Sequence, residues 1–278
     1  MKLRQRLLPR LHLRSNVLLS TVYFLVMKTF RLLLLVVLPA LLVLSSFRSA
    51  RFASREVRQV AAFTQVNLAG SPKVVLRQGS PQKVELEGEP ADLARLETSV
   101  SNGKLRIGIK NSSGKSNSDY DGGLLDKVRG NTNINIGSIT VYVTMPEIDA
   151  LSVSGSGSIR AADAIKTGNL DLAVSGSGHL ELSHLQSAAV TSAVSGSGSI
   201  AVVGTAARHD VKISGSGRVQ SANLSAEASK VTISGSGNCR VNATKTLEAR
   251  IAGSGNIYVT GNPQINSSIA GSGHVHRS

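Results

Sequence analysis

From Leu170 to Leu182 apolar and polar residues alternate without a break. Leu170, Leu172, Val174, Gly176, Gly178, Leu180 and Leu182 share one parity, and Asp171, Ala173, Ser175, Ser177, His179 and Glu181 share the other. Alternation at period two is the mark of a strand with one face buried and one in water. Ser-Gly-Ser-Gly stands at the centre of this stretch, and it recurs. Intact copies begin at Ser154, Ser175, Ser195, Ser214 and Ser234, and copies with Ala first begin at Ala252 and Ala270. Their spacings are 21, 20, 19, 20, 18 and 18 residues. Self-similarity at such a period predicts a solenoid, in which each repeat buries its apolar face only by stacking on its neighbours.

The flanks form columns. Two places before the first Gly stand Val153, Val174, Val194, Ile213, Ile233, Ile251 and Ile269. Two places after the second Gly stand Ile159, Leu180, Ile200, Val219, Cys239, Ile257 and Val275. Branched aliphatics of this kind suit a pleated, buried surface. The predicted fold is therefore all-β: a single-stranded parallel β-helix with coils of 18–21 residues. Stacking at about 4.8 Å makes seven coils roughly 34 Å tall.

The glycines share the parity of the core, so both members of each pair are expected to point inward at a sharp bend. They are Gly155 and Gly157, Gly176 and Gly178, Gly196 and Gly198, Gly215 and Gly217, Gly235 and Gly237, Gly253 and Gly255, and Gly271 and Gly273. On this reading Gly196→Val forces a branched side chain into a narrow core and is severely destabilising. The serines between the glycines, Ser156 to Ser272, form an outward ladder, and Ser197→Ala is nearly silent.

Upstream the pattern weakens. Val66, Leu68, Gly70, Pro72, Val74 and Leu76 keep the parity, with Ala69-Gly70-Ser71-Pro72 in the place of the repeat motif. This reads as a degenerate first coil. Further strands are expected at Lys83–Glu87, Lys104–Ile109 and Ile139–Thr144, and a short helix over Pro90–Glu97 with Pro in the first turn. Asn111–Gly137, rich in Asn, Ser, Gly and Asp, reads as a long loop. The chain thus divides into a leader (1–56), irregular coils that cap the repeats (57–150) and the regular solenoid (151–278).

Charge changes the picture only when mapped. The net charge is +14, but residues 1–58 carry +10 of it and the remaining 220 residues only +4. The folded body is therefore not expected to bind nucleic acid, and 3% aromatics with no Trp argue against a stacking platform. Within the leader, Met27 begins a stretch with Lys28 and Arg31, then a thirteen-residue apolar core from Leu32 to Leu44. That is the layout of a secretory signal peptide, with residues 1–26 an extension; the alternative is one signal anchor from about Val17 to Leu44. A membrane is expected to be contacted only through the leader, and only if it stays uncleaved. The single cysteine, Cys239, allows no disulfide within the chain and occupies an inward column.

Candidate chemistry is sparse. The glycine motifs lack the third Gly of a dinucleotide loop, and Gly114-Lys115-Ser116 has Ile109 where a phosphate loop needs Gly. Asn117, Asp119, Asp121 and Gly122 open like a calcium loop, yet Val128 stands at its twelfth position. His179, His184 and His209 share no metal-binding spacing and are read as exposed polar residues, with His274 and His276 in the last coil. No catalytic, metal or cofactor residues are assigned.

Polysaccharide-cleaving β-helices need clustered carboxylates on adjacent coils. Here one outward column runs Ala150, Asp171, Thr191, Asp210, Lys230, Glu248, Asn266, which places Asp171 and Asp210 two coils apart and Lys230 between acids. It reads as a charge ladder. The outward face just after the bend is the candidate binding face. It comprises Arg160, His179, Glu181, Arg218, Gln220, Asn238, Arg240, Asn256, Tyr258, His274 and His276. Stacked side chains of these types suit a repeating partner such as glycan, or a cell-surface protein.

With the Phe63–Leu68 opening, the repeated Ser-Gly-Ser-Gly coils and the ending GSGNIYVTGNPQINSSIAGSG, the chain resembles the putative auto-transporter adhesin, head GIN domain family of bacteria, over Val57–Ser278. The resemblance implies an exported β-solenoid without known catalytic residues, acting as an adhesin-like binding or scaffolding protein of the cell envelope. The alternatives are a polysaccharide-cleaving enzyme on the same architecture and a structural stack joined end to end. With Ser278 directly after the last coil, a membrane barrel that anchors the chain in an outer membrane is not expected.

Overall fold

A computed structural model describes residues 54–110 and 138–277. The expected signal peptide or anchor, the expected loop and the residues resembling phosphate and calcium loops therefore lie outside the described residues. Contacts divide the chain between Phe52 and Ala53.

The body is nearly all strand, and its regular part is a β-solenoid. One coil follows another as long strands in parallel register: β8 (Ala150–Gly155), β9 (Ser158–Gly176), β10 (His179–Gly196), β11 (Ser199–Gly215), β12 (Arg218–Gly235) and β13 (Asn238–Gly253). The last coil is broken into β14 (Asn256–Thr260), β15 (Gln264–Ala270) and β16 (His274–Arg277). The predicted columns are real neighbours: Val174 pairs with Val194, Val194 with Ile213, and Ile213 with Ile233. All four are at most 2% exposed. Each such side chain stabilises the stack by roughly 1.5–3 kcal/mol relative to exposure.

Differences in coil length are taken up by register slips after the strand that leaves the bend, including those between Ser221 and Ser225 and between Ala226 and Ala228 against β13. The register slips between Leu182 and His184 against β9, between Leu182 and Leu185 against β11, and between Ala201 and Gly204 against β12. Bulges there absorb the extra residues, so the bend itself stays aligned from coil to coil.

The two glycines of each bend do different things, which corrects the expectation that both face inward. Gly198 is buried, and a Cβ there would overlap Val174 Cγ1 and approach the Gly178 carbonyl to 2.7 Å. This is the narrow place in the core. Gly196 is only half-buried. Its φ of +105° is the left-handed backbone that glycine tolerates, and a Cβ would stand 2.8 Å from the Gly176 carbonyl. Gly196→Val is thus costly through backbone strain and the coil below, not through intrusion into the core. The intervening Ser197 is exposed, while its amide donates to the Gly176 carbonyl at 2.9 Å.

Upstream, β2 (Gln65–Gly70) lies under β8 with Gly70 opposite Gly155, and β3 (Lys73–Gln78) lies under the start of β9. Pro72 is buried at the position of the second bend glycine, and its carbonyl accepts from Ser158 N. Below these lie β6 (Lys104–Ile109) and β7 (Thr140–Met145), parallel to β2 and β3. Leu68 pairs with Ile107, and Lys73 with Thr140.

The stack then closes with antiparallel strands. β5 (Leu96–Ser101) pairs with β6, β4 (Lys83–Gly88) with β7, and β1 (Ser54–Arg58) with β4. One expectation changes here. The helix, α1, spans only Pro90–Leu93, because Leu96 turns into the core at 0% exposure and begins β5. Strand β1, the first described element, begins at Ser54.

Candidate functional site

The strand that leaves each bend shows two outward columns. One runs Lys73, Ser158, His179, Ser199, Arg218, Asn238, Asn256, His274; the other Val75, Arg160, Glu181, Ala201, Gln220, Arg240, Tyr258, His276. The parallel register brings all eleven expected face residues together on one surface. Alternation of the strand puts them outward, because Ile159, Leu180, Ile200, Val219, Cys239 and Ile257 between them are 0% exposed.

Along this surface the chemistry changes. Near its start Arg160 donates to Glu181 at 3.2 Å, and His179 Nδ1 lies 2.7 Å from Ser199 Oγ. At the centre Arg218 and Gln220 are exposed and Asn238 is half-buried. Towards the end the side chains stack: the Arg240 guanidinium lies 5.6 Å over the Tyr258 ring, Tyr258 lies 5.1 Å from His276, and His276 lies 5.8 Å from His274. At the opposite end of the sheet, Arg55 caps Tyr142 at 5.1 Å and bonds Glu87 at 2.9 Å, which raises the guanidinium pKa.

A second surface carries the charge ladder, in the register read from sequence. Lys230 Nζ lies 3.3 Å from Glu248, and Glu248 also holds Arg250 at 2.6 Å. Small Ala228 leaves a depression there between Arg208, Asp210, Lys230, Thr246, Glu248 and Gln264. The acids Asp210 and Glu248 are separated by Lys230, so no carboxylate pair is available for acid–base work at this point.

The histidines divide in a way the sequence reading missed. His184 is exposed, its Nδ1 3.0 Å from the Ala162 carbonyl. His209 is 1% exposed, contrary to expectation, and Ser192 Oγ lies 3.0 Å from its Nε2. The cause is parity: His209 stands in line with Val211 and Ile213, two inward positions. Burial lowers its pKa to about 4, because an imidazolium would lose its hydration there. Ser229, its ladder neighbour, is buried as well. Cys239 is fully buried, and desolvation pushes its thiol upward, which makes the thiolate scarce.

No helix among the described residues is long and apolar enough to cross a membrane. Solved structures share the fold. A putative adhesin from Bacteroides fragilis NCTC 9343 is 21% identical, with a TM-score of 0.71 over 82% of this chain and 98% of that one. A putative lipid binding protein from Parabacteroides distasonis ATCC 8503 is 23% identical, with a TM-score of 0.62 over 82% and 98%. A putative adhesin from Parabacteroides merdae ATCC 43184 is 19% identical, with a TM-score of 0.62 over 82% and 97%. No curated protein matches. The family model described as "Putative auto-transporter adhesin, head GIN domain" matches residues 62–263, and the chain belongs to that family.

Proposed function

We propose that the chain is an exported, non-catalytic β-solenoid of the bacterial cell envelope that binds a surface glycan through the face after the bend. The family's adhesin description supports a surface-binding role. The observation that carries the choice of face is the strip Arg218, Gln220, Asn238, Arg240 and Asn256. These donors and acceptors stand in two straight columns in consecutive coils. Polar groups spaced at about 4.8 Å can meet hydroxyls of an extended chain repeatedly. Several weak contacts then add through one rigid scaffold.

A glycan array probed with the full chain tests this, alongside a reducing-sugar assay. Binding is expected, R218A/R240A lowers it, and D171N leaves it unchanged. Release of reducing ends would instead indicate a polysaccharide-cleaving enzyme. Binding unaffected by R218A/R240A would remove this face from the account.

A further inference from the structure

We propose that His274 and His276 form a two-imidazole chelate for a late first-row divalent cation at the open edge of the last strand. This does not rest on the glycan reading. Strand β16 pairs with β14 alone, so its other edge has no strand partner among the described residues. Residues two apart on a strand project to one face, with about 6.6 Å between their backbone positions. Here the two ring centroids lie 5.8 Å apart with planes 27° from parallel, and both side chains are exposed. Turning the two exposed rings toward each other about their side-chain bonds would bring one nitrogen of each to a shared ion at about 2.0–2.1 Å.

The arrangement differs from the same spacing elsewhere on the face. His179 and Glu181 are also two apart, 3.8 Å from each other, but their polar atoms are engaged. Glu181 holds Arg160, and His179 faces Ser199. At the last coil the neighbours are rings instead. Tyr258 lies 17° from parallel with the exposed His276, and Arg240 caps Tyr258, so the stack holds that imidazole on one side.

Neutral imidazole is a borderline-soft donor that prefers Cu²⁺, then Ni²⁺ and Zn²⁺, whereas Ca²⁺ and Mg²⁺ require oxygen ligands. No group of three or more His, Cys, Asp or Glu suited to a metal occurs among the described residues. The ion would therefore keep open positions for water or for a group on another molecule.

Titration of the full chain with Cu²⁺, followed by calorimetry and electron paramagnetic resonance, tests the proposal. The expected result is one ion per chain with hyperfine structure from two imidazole nitrogens. H274A and H276A should each weaken binding by about tenfold, or ~1.4 kcal/mol. H179A/H184A should leave affinity and spectrum as they are. Y258A should weaken binding less, with recovery in Y258F, if the stack positions His276. Both imidazoles lie on the surface, so melting temperatures should be unchanged and a loss of affinity would not reflect misfolding. Wild-type affinity and an unchanged spectrum in H274A/H276A would overturn the proposal, as would an equal loss in H179A/H184A.

Discussion

The two ends of the solenoid treat the same column of side chains differently. At the N-terminal end the column before the bend continues downward from Val153 through Leu68 to Ile107, and all three are at most 1% exposed. At the other end it rises through Ile251, 2% exposed, to Ile269, 42% exposed. The difference lies in what covers each end. Strand β5 runs antiparallel on β6 and buries Leu96 beside the core, while β4 runs antiparallel on β7 and β1 antiparallel on β4. Antiparallel strands joined by short turns close a stack compactly, whereas a parallel coil always exposes a fresh row of core positions. The stability of a coil is therefore set by its neighbours more than by its own sequence.

The sharpest way to break that picture is at the bend of a central coil. Gly198→Val should cost about 5 kcal/mol or abolish folding, because its methyls would enter space held by Val174 and the Gly178 carbonyl. A thermal melt within a few degrees of wild type would contradict the inward placement of the second glycine. The comparison of ends is sharpened by one substitution made twice. Ile213→Ala, at 2% exposure, should cost about 3 kcal/mol, and Ile269→Ala in the same column under about 1 kcal/mol. Equal losses in urea denaturation would mean that the last coil is covered.

His209 supplies the next test, through pH. Its pKa falls from 6.5 to about 4 on folding, so the unfolded chain binds the proton more tightly. The stability lost is zero well above pH 6.5 and grows as pH falls to about 4, to at most ~3 kcal/mol. His209→Leu should flatten that fall relative to wild type, although Ser192 loses its partner and the baseline drops. Parallel pH profiles for the two proteins would show that His209 is solvated. The smallest effect is expected at Ser197→Ala, within about 0.5 kcal/mol, since that hydroxyl is exposed and the structural bond is made by the backbone.

The regular coils were legible because a period-two pattern repeated at a period near twenty leaves few registers in which the columns align. Even Pro72 could be placed, since it keeps the parity of Gly70 and of the apolar residues on either side. What escaped was written in parity but masked by residue type. His209, Ser192 and Ser229 occupy inward positions, yet each is polar, and polarity alone suggests solvent. The unequal roles of Gly196 and Gly198 were hidden because alternation records direction along a straight strand, and the chain turns between them. Antiparallel closure at the N-terminus left no repeat to read, so β1 and the early end of α1 emerged only from pairing. The candidate face was fully specified by register, because outward positions in matching coils must stack.

The most direct test of the stacked bend is amide hydrogen exchange at Ser177, Ser197, Ser216, Ser236 and Ser254. Their side chains are exposed, yet each amide donates to a glycine carbonyl of the previous coil at 2.9–3.0 Å. Slow exchange at all five, comparable to that of the buried strands beside them, is the expected result. Exchange at the rate of an unstructured Gly-Ser chain would contradict the account.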